Sequence, residues 1–309
     1  MPISMLKEKT ISDLAAVWHT EEISVVLPGM AGFVHSPSLG NKIRGALGHV
    51  LLASASLLVR NRKKCLWRRP STLELFFRNS GFLQLGEFSS EIAHPFVFST
   101  YGRTDGSLEV NMRIFGSACS RASSICDALI AALCHAVDWQ QMLKDAPGFL
   151  PTAIEPSDVR HVRGQLDLPS AEHDSDDIWE MLFLSPLDCE RGNPVDNPGL
   201  ILLRLVRRLA LLAPWFSISL AESYPDLVHE AEQALAQCEY ASAGSYSVKG
   251  GHRFSNQLVV SPVFSVSNVS PSLAVALVLG EKTHIGRGAN LGLGRYRLVR
   301  PDCSSLDEI

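Results

Sequence analysis

The chain has 309 residues, 46% of them hydrophobic and 19% charged, and a formal net charge of −4 at pH 7. Such a length holds two domains with cores of their own, and the balance excludes a disordered or fibrous chain. No run approaches 18 consecutive apolar residues, and Met1–Thr10 carries Lys7, Glu8 and Lys9, so no membrane span, signal peptide or membrane partner is expected. Seven cysteines (65, 119, 126, 134, 189, 238, 303), odd in number and without a C-x-x-C pair, point to a reducing cytoplasm. They argue against a disulfide framework or a zinc ribbon.

In chain order, Glu22–Leu27 reads as a strand closed by Pro28-Gly29. Ser38 is placed to cap a helix from Leu39 to about Leu58, with Ile43, Leu47, Val50 and Leu51 on its apolar side. Next comes a basic run, Arg60, Arg62, Lys63, Lys64, Arg68 and Arg69, interleaved with Trp67; it is either a solvated face or a nucleic-acid contact. His94–Thr100 and Ser107–Phe115 are strands joined by an Asp105-Gly106 turn, Ala122–Leu143 is helical, and Val159–Leu168 is a strand. After the acidic linker Ala171–Asp177 much the same order returns. Ile178–Leu184 is a strand, Gly199–Ala213 and Leu227–Cys238 are helices, Ser245–Lys249 and Asn256–Val266 are strands, Ser272–Gly280 is a helix and Arg295–Val299 a last strand. Two split βαβ units predict an α+β fold of tandem ferredoxin-like (RRM-like, βαββαβ) domains. Their expected bounds are 1–170, with a basic helical insertion at about 59–80, and 171–309.

The second domain ends in a glycine-rich run, His284 to Leu298, with Gly286, Gly288, Gly292 and Gly294 among Arg287, Arg295 and Arg297. Glycines let a backbone turn its amides toward an anion, and arginines add bidentate donors, so the run predicts a phosphate-bearing partner. A glycine-rich hairpin with solvated arginines is the alternative. The run lacks the Lys-Ser/Thr ending of a P-loop and lies too late for a dinucleotide fingerprint. Net charge alone disfavours a nucleic-acid binder, yet the acidic residues gather in Glu172–Asp177 and Glu222–Glu239, apart from the basic run.

Four segments, in order, resemble one family. Ser38-Leu-Gly-Asn-Lys-Ile-Arg-Gly-Ala-Leu-Gly-His49 is similar to its G-x-x-L-R-G-A-L-G-H helix start, and His94-Pro-Phe-Val97 with Leu108–Gly116 to its P-F-V … L-F-G hairpin. Phe183-Leu-Ser-Pro-Leu187 before Arg207-Arg208 resembles its F-x-S/T-P-L … R-R-L segment, and the glycine run its H-I-G-K-G-x-x-x-G-L-G-R-Y ending. The resemblance is to the RAMP superfamily of CRISPR-associated proteins, and within it to the Cas-six endoribonucleases that cut precursor CRISPR RNA within its repeats. Many relatives carry a cysteine-rich segment after the first helix; here Arg60–Arg69 stands in its place, as in the arginine-rich helical insertions of type IV processing nucleases.

The resemblance implies metal- and cofactor-free cleavage by the ribose 2′-hydroxyl, leaving a 2′,3′-cyclic phosphate, with the product retained and other CRISPR effector subunits as partners. The chemistry calls for a base, an acid and cations around the phosphorane, and histidine suits the first two roles. His49 is the first candidate: Lys42, Gly45 and His49 share a helix face, with Gly45 leaving room for a backbone. His49 packed beneath the sheet is the plain alternative, His35 is the rival histidine, and Arg44 braces the loop or binds phosphate. Tyr246, Lys249, His252 and Arg253 form a second polar set, either beside RNA or on an exposed turn at Gly250-Gly251. The remaining histidines have no metal-ligand spacing. Two alternatives stay open: a non-catalytic RAMP subunit that binds CRISPR RNA hairpins, and a ferredoxin-like enzyme acting on a small phosphorylated metabolite.

Overall fold

The computed structural model describes residues 6–36, 38–63, 70–78, 81–144, 150–164, 166, 177–188, 196–239, 246–247, 257–259, 262–286 and 288–299. The chain forms two compact units. One comprises His19–Ser80 and His94–Gln165; the other comprises Met1–Trp18, Gly81–Ala93 and Leu166–Ile309. The chain therefore passes between units near the predicted 170/171 boundary, but 1–18 and 81–93 belong with the C-terminal half rather than with the domain expected at 1–170.

After β1 (Lys7–Glu8) and α1 (Ile11–Ala16), the first unit runs β2 (Thr20–Leu27), α2 (Leu39–Ser54) and two short helices, α3 (Leu57–Arg60) and α4 (Thr72–Phe77). A hairpin, β3 (Phe82–Leu85) and β4 (Phe88–Glu91), interrupts it. It resumes with β5 (Phe96–Gly102), β6 (Leu108–Phe115), α5 (Ala122–Ala131), α6 (Trp139–Met142) and β7 (Asp158–Gly164). The sheet order β5-β6-β2-β7, antiparallel throughout, is that of a ferredoxin-like unit. Strand alternation turns Ile23, Val25, Leu27, Val110, Met112, Ile114, Phe96 and Phe98 to one buried face, where α2 (Ile43, Leu47, Leu51) and α5 (Ile125, Leu129) cover them. The predicted cap is not made: Ser38 sits at the helix start without a capping bond and pairs instead with Ser36 Oγ at 3.1 Å.

The helix predicted over Ala122–Leu143 is three pieces, α5, a π-helical turn at Ala132–Ala136 and α6, because Val137 is extended (φ −75°, ψ 126°) and Asp138 starts a new helix by accepting from Gln141 N at 2.9 Å. By length and composition Gly116–Ala136 is apolar enough to cross a membrane. It lies on the sheet, with Ile125, Leu129 and Leu133 buried.

The second unit runs β8 (Trp179–Phe183), β9 (Leu187–Asp188), α7 (Gly199–Leu212), β10 (Ile218–Ser219), α8 (Tyr224–Gln233) and β11 (Leu235–Glu239). Then come β12 (Tyr246–Ser247), β13 (Gln257–Val259), β14 (Val263–Ser267), α9 (Pro271–Thr283) and β15 (Tyr296–Val299). Its main sheet, β11-β14-β8-β15, repeats the same order, again antiparallel. The protein is thus an α+β chain of tandem ferredoxin-like units. Leu235–Glu239 corrects the helix predicted to Cys238: pairing with β14 overrides the helical propensity of Leu, Ala, Gln and Glu. The single strand predicted over Asn256–Val266 is two strands in different sheets, parted before Pro262.

The N-terminal segment joins this unit because Lys7–Glu8 pairs in parallel with Ile218–Ser219 and Trp18 stacks on Phe216 at 4.7 Å. The β3–β4 hairpin is fastened by Arg207, which donates to Ser90 Oγ at 2.6 Å, and by Trp215, which donates to the Ala93 carbonyl at 2.8 Å. Helix α9 packs closely on Tyr296, whose hydroxyl donates to Leu277 O at 2.5 Å. A β-carbon on Gly280 would overlap both Tyr296 Oη and Leu205 Cδ1. Gly280→Ala is therefore expected to cost about 1–3 kcal/mol through overpacking, read as a lower melting temperature, despite alanine's better helix propensity.

Candidate nucleic-acid interface

The helix α2 turns Leu39, Ile43, Ala46, Leu47 and Leu51 inward, which leaves Gly45 and His49 exposed. His49 therefore does not pack beneath the sheet. A β-carbon at Gly45 would meet nothing within 4 Å, so this face admits the close approach of a backbone. Lys42 is half-buried, its ammonium donating to Gln141 Oε1 on α6. It stands about 10 Å along the axis from His49, close to two helical turns. His35, also exposed, ends a 3₁₀ turn (Ala31–His35) just before the helix; within that turn Phe33 meets Trp139 of α6 edge-on at 5.2 Å. Lys42 and His35 thus share the N-terminal end of α2, and His49 stands farther along.

Arg44 points elsewhere. Its guanidinium lies 5.3 Å over the Phe77 ring and donates to His94 Nε2 at 3.4 Å, and burial pushes its pKa down. Of the basic run, Arg60 folds back to donate to the carbonyls of Ala53 and, at 2.8 Å, Ala55, completing the C-terminal end of α2. Arg60 remains exposed while it makes these bonds. Arg62, in the left-handed region (φ 59°), and Lys63 are exposed. Lys64, Arg68 and Arg69 lie outside the described residues.

The sheet face turned away from α2 and α5 carries Glu22, Ser24, Glu109, Asn111 and Arg113 on the two central strands, tied by Arg113–Glu22 at 2.7 Å and Ser24–Glu109 at 2.8 Å. It presents carboxylates on those strands, and the exposed ring of Tyr101 stands on the same face, on β5 opposite Glu109.

In the second unit, all four loop glycines have positive φ, 82° at Gly286, 78° at Gly288, 91° at Gly292 and 67° at Gly294. The loop's neck is closed by Ile285 N donating to Gly294 O at 2.8 Å, and it is pinned to the 185–187 segment: Gly294 N donates to Pro186 O at 2.9 Å and Arg295 N to Ser185 Oγ at 2.8 Å. Leu291 and Leu293 donate to the Gly288 carbonyl at 2.7 and 3.2 Å, and Gly292 to Ala289 O at 3.1 Å. The amides from Leu291 to Arg295 are thus already bonded within the protein. Among the described residues, the amides of Gly286, Gly288, Ala289 and Asn290 make none of these bonds. Arg295 is half-buried at the neck, and Arg287 lies outside the described residues.

Behind the neck, Arg208 of α7 donates to Thr283 O, the last carbonyl of α9, at 2.9 Å, and burial lowers its pKa to about 10. The next residue, His284, is buried with φ 58°, a conformation uncommon for a side chain this large. Leu187, 3.9 Å from a β-carbon placed on Gly286, also pairs in the small sheet β12-β13-β9. The structure therefore brings the Phe183–Leu187 segment, Arg208, the glycine run and strand β13 together. Lys249, His252 and Arg253 lie outside the described residues. Among the described residues no group of three His, Cys, Asp or Glu side chains is arranged to hold a metal.

No family model and no curated protein matches the chain. Among solved structures, the Thermus thermophilus Cas6 product complex superposes with a TM-score of 0.52 at 13% identity, over 91% of this chain and 98% of that one. The chain has a Cas6-like fold. A second structure of Thermus thermophilus Cas6 gives a TM-score of 0.42 at 15% identity, over 91% and 99% of the two chains. A Cas6-related protein from Pyrococcus furiosus gives 0.37 at 11%, over 91% and 98%. Two residues of this Cas6-like chain were missed by reasoning from sequence. Gln141, partner to Lys42, lies 99 positions away with no local signal, and Phe77 reads there as one more apolar helix residue.

Proposed function

We propose that the protein is a metal-independent endoribonuclease that cuts CRISPR precursor RNA within its repeats and retains the product. The observation that carries this reading is the duplicated ferredoxin-like chain ending in a pinned glycine loop, an architecture matched over 98% of a Cas6. An open helix face presenting His49 and Lys42 beside a bare Gly45 supports it. In the reaction a histidine takes the 2′-hydroxyl proton, the 2′-oxygen bonds to phosphorus, the P–O5′ bond breaks and the leaving oxygen takes up a proton. Lys42 neutralises phosphate charge beside that histidine; in the other unit, Arg295 and the amides of the glycine loop bind phosphates of the RNA on their own account. Arg62, Lys63, Lys64, Arg68 and Arg69 lie along the repeat stem.

One observation favours a second reading, a non-catalytic RNA-binding subunit. Among the described residues neither His49 nor His35 has a hydrogen-bond partner that orients its ring, whereas an acid–base histidine usually has one. Incubation with repeat RNA in EDTA separates the two: a single cut with a cyclic-phosphate end supports the nuclease, and tight binding with intact RNA supports the subunit. Replacing Arg62, Lys63, Arg68 and Arg69 together is expected to flatten the salt dependence of binding by roughly three to four units of log–log slope. An unaltered slope would assign the run to a solvated surface.

A further inference from the structure

Arg44 and Gly48 are four residues apart on α2 and form a notch between them. The Phe77 ring of α4 fills it: a β-carbon on Gly48 would lie 3.3 Å from Phe77 Cε1, and the Arg44 guanidinium covers the ring at 5.3 Å. Arg44 cannot accept a hydrogen bond, so His94 Nε2 is the acceptor in their contact, and the guanidinium is held by a ring face and an imidazole nitrogen. At 100° per residue this notch is roughly a third of a turn from the face bearing Lys42, Gly45 and His49.

The side chain in the notch is itself fixed from three directions. Ser71 and Glu74 form a capping box at the start of α4, with Glu74 N donating to Ser71 Oγ at 3.3 Å and Ser71 N to Glu74 Oε2 at 2.8 Å. Phe76 and Phe77 each lie 5.7 Å from Phe96 at the start of β5. Arg78, next to Phe77, donates to the Val59 carbonyl of α3, three residues before the exposed Arg62 and Lys63. A continuous chain of contacts therefore runs from the exposed cations through Arg78 and Phe77 to the helix that carries the histidine.

We propose that Phe77, with Arg44 and Gly48, is a positioning device that sets the angle of α2, and so where His49 and Lys42 stand relative to an RNA held by the neighbouring cations. This rests on the nuclease reading above and gives Arg44 a positioning role in place of contact with the scissile phosphate. Single-turnover cleavage, RNA affinity and melting temperature are measured together for Gly48→Ala, Phe77→Leu and the double variant. Gly48→Ala gains helix propensity and keeps the fold, but its methyl displaces the ring. Affinity is expected to hold while cleavage falls about tenfold and the cut position spreads, since small misplacements of reacting groups are costly. Phe77→Leu alone, which loosens the notch, gives the same split, and combining it with Gly48→Ala restores rate and cut position. A Gly48→Ala rate equal to wild type overturns the inference, as does a double variant worse than either single one, which marks plain packing. Wild-type protein that binds repeat RNA in EDTA without cutting it removes the nuclease reading first, and this inference with it.

Discussion

His49→Ala is expected to slow repeat cleavage by about 10²–10⁴-fold, the range of one acid–base group, and to leave RNA affinity and melting temperature unchanged. The second half of that expectation follows from exposure: the His49 ring is in solvent, on a face where Gly45 offers no packing, so its loss opens no cavity. His35→Ala is the paired measurement, since His35 is also exposed and shares with Lys42 the N-terminal end of α2. A normal rate for His49→Ala with a slow His35→Ala moves the proton transfer to the mouth of the helix. Two normal rates in a protein that cleaves would leave the chemistry to cations.

Gly294→Ala is expected to unmake the glycine loop. A left-handed conformation costs an ordinary residue roughly 1–2 kcal/mol, and here the β-carbon would also overlap the Ile285 carbonyl oxygen. Relieving that overlap breaks the Ile285–Gly294 pair and the bond to Pro186, each worth about 1 kcal/mol. A total of about 3 kcal/mol lowers the melting temperature by roughly 6–12 °C and loosens the grip on RNA. Gly286→Ala is the control. Its φ of 82° is as unfavourable, yet its β-carbon would touch only Leu187 Cδ1, at 3.9 Å. It should therefore show the conformational cost alone, and equal losses in the two variants would refute the overlap argument.

Much of the fold was legible because its signals are periodic. Ile43, Leu47 and Leu51 mark α2, the alternation through Ile23, Val25 and Leu27 marks β2, and the order of elements repeats. Positive φ at all four loop glycines was legible for a different reason, that few other residues adopt it. What escaped depends on partners distant in sequence. Leu235–Glu239 is a strand only because Val263–Ser267 lies beside it. Arg60 is one of six cations in the run Arg60–Arg69, and only the bend of the chain after Ser54 turns it onto the carbonyls at the end of α2. The notch for Phe77 requires Gly48 and a residue 29 positions later to meet, and no pattern in either segment announces that.

The membership of residues 1–18 and 81–93 in the C-terminal unit has a consequence for biosynthesis. Leu14, Leu83 and Leu85 leave the ribosome long before α7 and β10, yet they are buried in the unit that those elements help to build. Nascent chains must carry these leucines uncovered until most of the message has been translated. A fragment ended at 165 would keep them uncovered permanently, so dissecting the protein by truncation should yield an aggregation-prone half rather than a clean module.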